Sequence, residues 1–128
     1  MHFIDIHCHI LPGLDDGPSN IEESSRMIEV AVKDSVSAIF ATPHIIRGIF
    51  DNNSSKITAS VERLKEHVPD NLKLFYGADV RITFDLLERV ESREIPTLNG
   101  SGYMLVEMPE FIVPPLIENL IFNIRHKG

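Results

Sequence analysis

Short runs of β-branched and aromatic residues alternate along this chain with longer stretches in which apolar residues recur at helical spacing. This alternation predicts βα units, in which each strand of a parallel sheet is followed by a helix that packs against it. The strands are predicted at residues 1–6, 37–42, 72–77 and 103–107. The pattern therefore indicates an α/β fold with about four βα units.

Four helices are predicted, one after each strand. The first begins at Ser19, whose hydroxyl can cap the helix while Glu22 completes a capping box, and it ends near Asp34. Its apolar face consists of Ile21, Met27, Ile28, Ala31 and Val32. The second begins near Ser54 and ends at 69–71, with an apolar face formed by Ile57, Val61, Leu64 and Val68.

The last two helices carry weaker signals. Residues 84–91 predict a short helix with Phe84, Leu87 and Val90 facing inward. Prolines open the final helix and Gly128 follows its basic end, while its apolar positions are Leu116, Leu120, Ile121 and Ile124. Because no further strand is predicted after it, we expect an open half-barrel with an uncovered sheet edge.

Composition and charge narrow the classes of function. The 128 residues are 43% hydrophobic and 24% charged, which fits one globular domain, and no run approaches the roughly 18 apolar residues of a membrane-spanning helix. The net charge of −7 argues against a protein that binds nucleic acid, since that affinity comes from clustered Lys and Arg. The single cysteine and the absence of a signal-peptide pattern lead us to expect a cytoplasmic protein without membrane insertion.

Residues that bind metal ions fall at the carboxyl ends of the predicted strands. Two histidines follow the first strand, one follows the second, an aspartate follows the third, and a glutamate ends the fourth. In βα barrels these strand ends meet on one face, where the active site lies. With one residue from the first loop, the candidate metal ligands are His7, His9, Asp16, His44, Asp79 and Glu107.

The chemistry of this set favours particular ions and a particular reaction. Alternate residues of an extended strand point to the same side, so His7 and His9 can bind one ion. A mixed nitrogen and oxygen set suits Mn, Fe or Zn better than an all-oxygen Mg or Ca site. Carboxylates can bridge two ions about 3.5–4 Å apart, an arrangement that polarises phosphoryl oxygens and lowers the pKa of bound water. The set therefore predicts metal-dependent phosphoester hydrolysis.

Other polar residues have plain structural explanations. We interpret His2, His67 and His126 as surface side chains, and the run at 15–18 fits a tight turn with solvated carboxylates equally well. A cysteine-dependent phosphatase would carry an arginine six positions after Cys8, where this chain has Leu14. We therefore expect Cys8 to pack on the side of the strand opposite the two histidines.

Two arginines, Arg47 and Arg81, lie just past candidate ligands. Each can help to bind a phosphate, although a solvated arginine explains each position equally well. We take Arg47 and Asp16 as the candidate catalytic residues.

The motifs, taken together and in order, resemble a known family. They are Ile4-Asp5-Ile6-His7-Cys8-His9-Ile10, Leu14-Asp15-Asp16-Gly17-Pro18, Ala41-Thr42-Pro43-His44, Arg47-Gly48-Ile49-Phe50, Tyr76-Gly77-Ala78-Asp79, Ile95-Pro96-Thr97-Leu98-Asn99 and Tyr103-Met104-Leu105-Val106-Glu107. Over essentially all 128 residues the chain is similar to the PHP-domain protein-tyrosine phosphatases of bacterial capsule and exopolysaccharide clusters, the CpsB/YwqE type.

This resemblance implies a PHP-type distorted, TIM-like βα barrel, of which residues 1–128 would be the N-terminal portion of a single domain. It implies up to three ions, usually manganese, and removal of phosphate from tyrosines of a bacterial tyrosine kinase of polysaccharide synthesis. The six candidate ligands fall on family ligand positions. Two departures stand out: Asp79 replaces a glutamate of the family, and the family is about twice as long, its second half supplying further ligands and an arginine.

Two other functions stay open from the sequence. One is a related phosphoesterase for a small phosphomonoester such as histidinol phosphate. The other is a catalytically inactive fragment that binds metal or a partner. Oligomeric state would distinguish the fragment, because its exposed sheet edge and half-covered core predict self-association into a homo-oligomer.

Overall fold

The computed structural model describes residues 2–127. Met1 and Gly128, predicted to begin the first strand and to follow the last helix, lie outside the described residues. The strands are Phe3–Cys8 (β1), Val36–Ala41 (β2), His44–Ile45 (β3), Lys73–Tyr76 (β4), Asp79–Arg81 (β5) and Leu105–Glu107 (β6). The helices are Ile21–Lys33 (α1), Ser54–Lys65 (α2), Leu86–Glu91 (α3) and Ile117–Lys127 (α4), with a 3-10 turn at Leu98–Gly100.

These strands form two parallel three-stranded sheets, which confirms the α/β class. One sheet has the order β1-β2-β4 and the other β3-β5-β6. The prediction of four strands is wrong, because the second and third predicted strands each continue past a break into the second sheet. Pro43 cannot donate a backbone hydrogen bond, so it interrupts the ladder after β2. Its carbonyl still accepts the Asp79 N–H at 3.0 Å, next to the point where β3 pairs with β5.

The hydrophobic core lies between the sheets and the helices. The predicted apolar face of α2 is confirmed for Ile57, Val61 and Leu64, which are fully buried. Val68, the fourth predicted member, lies after the helix ends at Lys65 and is only partly buried. On α1 the burial is narrower than predicted: Ile28 is buried, whereas Met27 is more than a third exposed. The core therefore holds α2 more firmly than α1 against the strands that carry the site.

Three local predictions need correction. The cap of α1 is Asn20, whose side chain accepts the Glu23 N–H at 2.9 Å, so the cap lies one residue after Ser19. Phe84 is 75% exposed, because α3 begins only at Leu86 and buries that leucine instead. Leu116 precedes α4 with a positive φ of 63° and is exposed, so it faces away from the core.

The outer edge of β1 carries exposed apolar side chains. Phe3, Ile4 and Ile6 are each more than half exposed, and among the described residues β1 pairs with β2 alone. This agrees with the uncovered edge expected from the sequence. Within residues 2–127, no helix is both long and apolar enough to cross a lipid bilayer.

Candidate metal centre

The first two histidines of the site come from the irregular end of β1. The pairing of β1 with β2 slips between Asp5 and Cys8, so one extra residue is accommodated there. His7 and His9 nevertheless turn to the same side, with their Nε2 atoms 3.1 Å apart. The end of β1 thus brings two imidazole nitrogens close enough together to bind one ion.

The second sheet supplies three further side chains through its register. His44 in β3 is paired with Asp79 in β5, and β5 is paired in turn with β6, which ends at Glu107. Asp79 Oδ2 lies 3.3 Å from His44 Nδ1 and 3.3 Å from His7 Nε2. The Asp79 side chain is nearly buried, so it joins histidines from both sheets in a protected position.

All six predicted ligands are brought together at this end of the strands. Asp16 reaches the cluster from the loop after β1, with Oδ1 3.5 Å from His9 Nδ1 and 3.8 Å from His44 Nε2. The side chains form three overlapping groups, each compact enough to surround one ion: His7 with His9 and Asp79, His9 with Asp16 and His44, and His44 with Asp79 and Glu107. The sequence predicted this convergence, although His44 and Asp79 follow β2 and β4 as the first residues of the separate short strands β3 and β5.

The donor atoms of this cluster fit a divalent ion. His44 Nδ1 is buried and has no hydrogen-bond partner among the described residues. It faces two carboxylate oxygens, Asp79 Oδ2 at 3.3 Å and Glu107 Oε1 at 3.4 Å. A buried nitrogen left without a hydrogen bond costs stability, whereas a cation between it and the two carboxylates satisfies all three groups.

Two buried residues that sequence reasoning missed hold the cluster in place. The Asp15 side chain is fully buried, not solvated as a simple turn would leave it, and its carboxylate accepts the backbone N–H groups of Gly17 and His44, each at 2.9 Å. Asn52 Nδ2 donates to the carbonyls of Leu14 and His44, each at 2.8 Å. The sequence signal was weak, because adjacent Asp and Asn residues are common in exposed turns.

The pairing of His9 with Asp15 perturbs the pKa of both groups. The hydrogen bond that the His9 ring donates to the Asp15 carboxylate raises the pKa of His9, an effect that burial of the ring opposes. Burial alone would raise the pKa of Asp15, but the hydrogen bonds from His9, Gly17 and His44 outweigh it and lower that pKa. Asp15 is therefore an ionised carboxylate inside the protein, and the Nδ1 atom of His9 faces it at 3.0 Å.

Cys8 behaves as the sequence predicted. It is half-buried and packs against the hydrophobic core. Burial, followed by the charges of Asp5 and Asp15, raises its pKa to about 12, so the thiolate that a cysteine phosphatase uses is absent at neutral pH. His2, His67 and His126 are exposed, in agreement with their interpretation as surface residues.

The two arginines differ in their placement. Arg47 pairs with Asp85 and its side chain is 64% exposed; within residues 2–127 it forms no ion pair with the six clustered residues. Arg81 lies at the cluster: its Nε donates to Glu107 Oε1 at 3.2 Å and its Nη2 lies 3.9 Å from Glu110. Within the described chain, Arg81 is thus the cation that contacts a candidate ligand directly.

Comparison with known proteins shows which family this chain is part of. The family model described as capsular polysaccharide synthesis, CpsB/CapC, matches residues 3–128. The chain belongs to the CpsB/CapC family. The resemblance found in the motifs is confirmed by this match, which covers every candidate ligand.

Members of the family with assigned names are similar over most of this chain. The tyrosine-protein phosphatase YwqE of Bacillus subtilis is 34% identical over 98% of the chain and 50% of its own length. The tyrosine-protein phosphatase CpsB of Streptococcus pneumoniae is 40% identical over 81% of the chain and 44% of its own length. The chain therefore spans about half the length of the curated relatives it matches.

A solved structure supports the fold. It is described as one of the crystal structures of YwqE from Bacillus subtilis and CpsB from Streptococcus pneumoniae, unique metal-dependent tyrosine phosphatases. That chain superposes with a TM-score of 0.90 at 34% identity, over 98% of this chain and 52% of its own. Over the shared part, the two sheets and their helices are thus arranged as they are in that structure.

Proposed function

We propose that this chain acts as a metal-dependent phosphatase on phosphotyrosine in proteins, with a bacterial tyrosine kinase of polysaccharide synthesis as its natural substrate. The observation that carries the proposal is the overlap of three His and carboxylate groups at one end of the strands, in a chain of the CpsB/CapC family. Further support comes from the relatives, which are named tyrosine phosphatases.

Manganese is the proposed cofactor, with two or three ions in the full family site and with iron or zinc as alternatives. A set that mixes imidazole nitrogens and carboxylate oxygens suits these ions. The proposed ligands are His7, His9, Asp16, His44, Asp79 and Glu107. Bound ions of this kind would polarise phosphoryl oxygens and lower the pKa of water.

The chain's own residues provide the remaining functions in this proposal. Asp16 is 68% exposed at the open side of the cluster, where its carboxylate can accept a proton from an attacking water. Arg47 can bind the phosphate if it exchanges Asp85 for the substrate, because an ion pair this exposed to water is weak. Asp16 and Arg47 are thus the proposed catalytic pair. Both would act only when substrate is bound.

An open groove beside the cluster supports a peptide substrate. It has a volume of about 370 Å³ and is lined by residues that include Asp15, Phe50 and Lys56. Asp15 contacts His9, and the Phe50 ring stacks on His44 with centroids 5.7 Å apart, so the groove adjoins the cluster. A phosphotyrosine at the cluster would place neighbouring peptide residues along this groove.

We propose further that residues 1–128 form the N-terminal portion of a single PHP-type distorted βα barrel. The parallel pairing of both sheets and the convergence of all six proposed ligands in one cluster support this assignment. The uncovered edge of β1 is also what an incomplete barrel would have.

Hydrolysis of a phosphotyrosine peptide by the purified chain tests the proposed activity. We expect turnover with manganese, and we expect chelation or His9→Ala to abolish it, because both remove the ions that the reaction requires. Histidinol phosphate is the comparison substrate, since faster turnover of it than of the peptide would favour the small-molecule phosphoesterase. Stoichiometric manganese binding without turnover of either substrate would make this chain an inactive metal-binding fragment.

The exposed edge of β1 leads to a prediction about self-association. We expect two copies to associate through Phe3, Ile4 and Ile6, which would remove apolar surface from water and cover an unpaired strand. Ile4→Lys should shift the chain toward monomer in analytical ultracentrifugation, because a charge would be buried at the contact. Ile49→Lys is the matched control, as Ile49 is equally exposed but lies beside the metal cluster. Equal masses for wild type and Ile4→Lys would contradict the prediction.

A further inference from the structure

Both ring nitrogens of His9 face other candidate ligands, so either nitrogen could bind an ion. The Nε2 atom of His9 faces His7 Nε2 at 3.1 Å and Asp79 Oδ2 at 3.9 Å, whereas its Nδ1 atom faces Asp16 Oδ1 at 3.5 Å. The ring therefore touches two of the three possible ion positions, one through each nitrogen. A neutral imidazole carries a proton on one nitrogen and can bind an ion only through the other.

Asp15 decides which nitrogen keeps the proton. Its Oδ2 lies 3.0 Å from His9 Nδ1, closer than Asp16 Oδ1 at 3.5 Å. Asp15 is fully buried while Asp16 is largely exposed, so Asp15 depends on protein donors and Asp16 can rely on water. The other two contacts of the Asp15 carboxylate are backbone N–H groups, which donate and never accept.

We propose that Asp15 is a positioning residue that holds the His9 proton on Nδ1 and thereby directs Nε2 at the ion shared with His7 and Asp79. A carboxylate in this place also fixes the plane of the ring and makes the free nitrogen more basic. The inference rests on the metal-site part of the proposed function and is independent of which phosphoester is hydrolysed.

This assignment changes the composition of the three possible ion positions. His9 belongs to the position formed with His7 and Asp79 and leaves the one formed with Asp16 and His44. By the same rule His44, which faces Asp79 and Glu107 through Nδ1, keeps its proton on Nε2. An ion in the position beside Asp16 would therefore be held by Asp16 Oδ1 and by ligands from outside the three groups. We therefore expect the His7, His9 and Asp79 position to bind its ion more tightly.

The same carboxylate couples the site to the backbone of two separate segments. Its oxygens accept the N–H of Gly17 in the loop after β1 and the N–H of His44 at the start of β3. A side chain at position 17 would place its Cβ 2.4 Å from the His9 carbonyl, so the loop can close around Asp15 only with glycine there. The position of the Asp15 carboxylate is thus fixed by backbone hydrogen bonds of the turn and of β3.

Ring nitrogen chemical shifts of the metal-free protein test the proposal directly. At a pH above the pKa of His9, we expect the wild-type ring to carry its proton on Nδ1. In Asp15→Asn the amide oxygen can still accept the His44 N–H, but a neutral amide holds the Nδ1 proton less strongly than a carboxylate, so the fraction of rings with the proton on Nε2 should rise. The same variant should bind manganese about 10–100-fold more weakly in calorimetry, the usual cost of removing a carboxylate that orients a histidine ligand.

Asp51→Asn is the matched control for this variant. Asp51 also accepts a backbone N–H, that of Gly48 at 2.8 Å, but it is exposed and touches none of the six candidate ligands. We expect it to leave the ring shifts and the manganese affinity of the protein unchanged. A wild-type His9 with its proton on Nε2, or an Asp15→Asn protein with wild-type affinity, would overturn the proposal.

A second pair of variants covers the case in which Asp15→Asn does not fold. In His9→Asn the amide nitrogen lies near the position of Nδ1 and can still donate to Asp15, while no ligand atom reaches the ion. In His9→Gln the terminal amide lies near the position of Nε2, where its oxygen can bind the ion, and Asp15 loses its donor. We expect His9→Asn to keep more of the thermal stability and His9→Gln more of the manganese affinity. The reverse order would show that Nδ1 faces the ion.

Discussion

Asp79→Ala is expected to abolish manganese binding at two of the three possible positions and to reduce turnover of a phosphotyrosine peptide by about 100-fold or more. Asp79 Oδ2 lies 3.3 Å from both His7 Nε2 and His44 Nδ1, and Asp79 belongs to two of the three groups. Since loss of an outer partner alone costs 10–100-fold, loss of a shared ligand should cost more. Calorimetric titration with manganese and a phosphate-release assay measure the two effects.

Two further variants sharpen this prediction. Asp70→Ala removes an exposed carboxylate in the turn after α2, and it should leave both quantities unchanged. Asp79→Glu keeps a carboxylate and adds one methylene. Glutamate is the residue that the motif resemblance implies at this position in the family, so this variant should retain metal binding. If Asp79→Ala still binds the wild-type number of manganese ions, Asp79 is not the shared ligand.

Ile45→Ala is expected to lower the free energy of unfolding by about 2–5 kcal/mol. Ile45 is 1% exposed and is paired with Val80, so its side chain anchors β3 and β5 in the core directly beside His44 and Asp79. The substitution removes buried methylene and methyl groups and leaves a cavity between two ligand strands. Denaturant unfolding of the metal-free protein measures the loss without a contribution from bound ions.

Ile49→Ala provides the control of identical chemistry. Ile49 is 66% exposed four residues further along, and its truncation should change stability by less than about 0.5 kcal/mol. A comparable loss for Ile45→Ala and Ile49→Ala would mean that the contact between β3 and β5 contributes little to the core. A larger loss for Ile45→Ala would support the anchoring role assigned to it.

The sequence predicted those features whose signals are local. The apolar residues of α2 recur with a regular step, and the same residues are buried in the structure. The α/β class and the parallel pairing followed from the alternation of strand and helix patterns. The candidate ligands were found because residues of the right chemistry stood directly after predicted strands, a position that carries meaning in βα folds.

Predictions failed where contacts distant in the chain outweigh local preference. Phe84 has a strong apolar character, yet it lies before α3 and is exposed, because Leu86 occupies the buried position. The breaks after β2 and β4 were missed, although Pro43 marked the first of them, since a strand that changes sheets keeps the same residue preferences on both sides of the break.

The sequence by itself determined the fold class, the buried residues of α2 and the six candidate metal ligands, because periodicity and residue chemistry are properties of the chain. Only the tertiary structure decided how those residues meet. The register of β3 with β5 puts His44 against Asp79, and the burial of Asp15 aims one nitrogen of His9 at Asp79. Both depend on packing between segments roughly 30 residues or more apart, and desolvation there turns an Asp in a common turn motif into an orienting carboxylate.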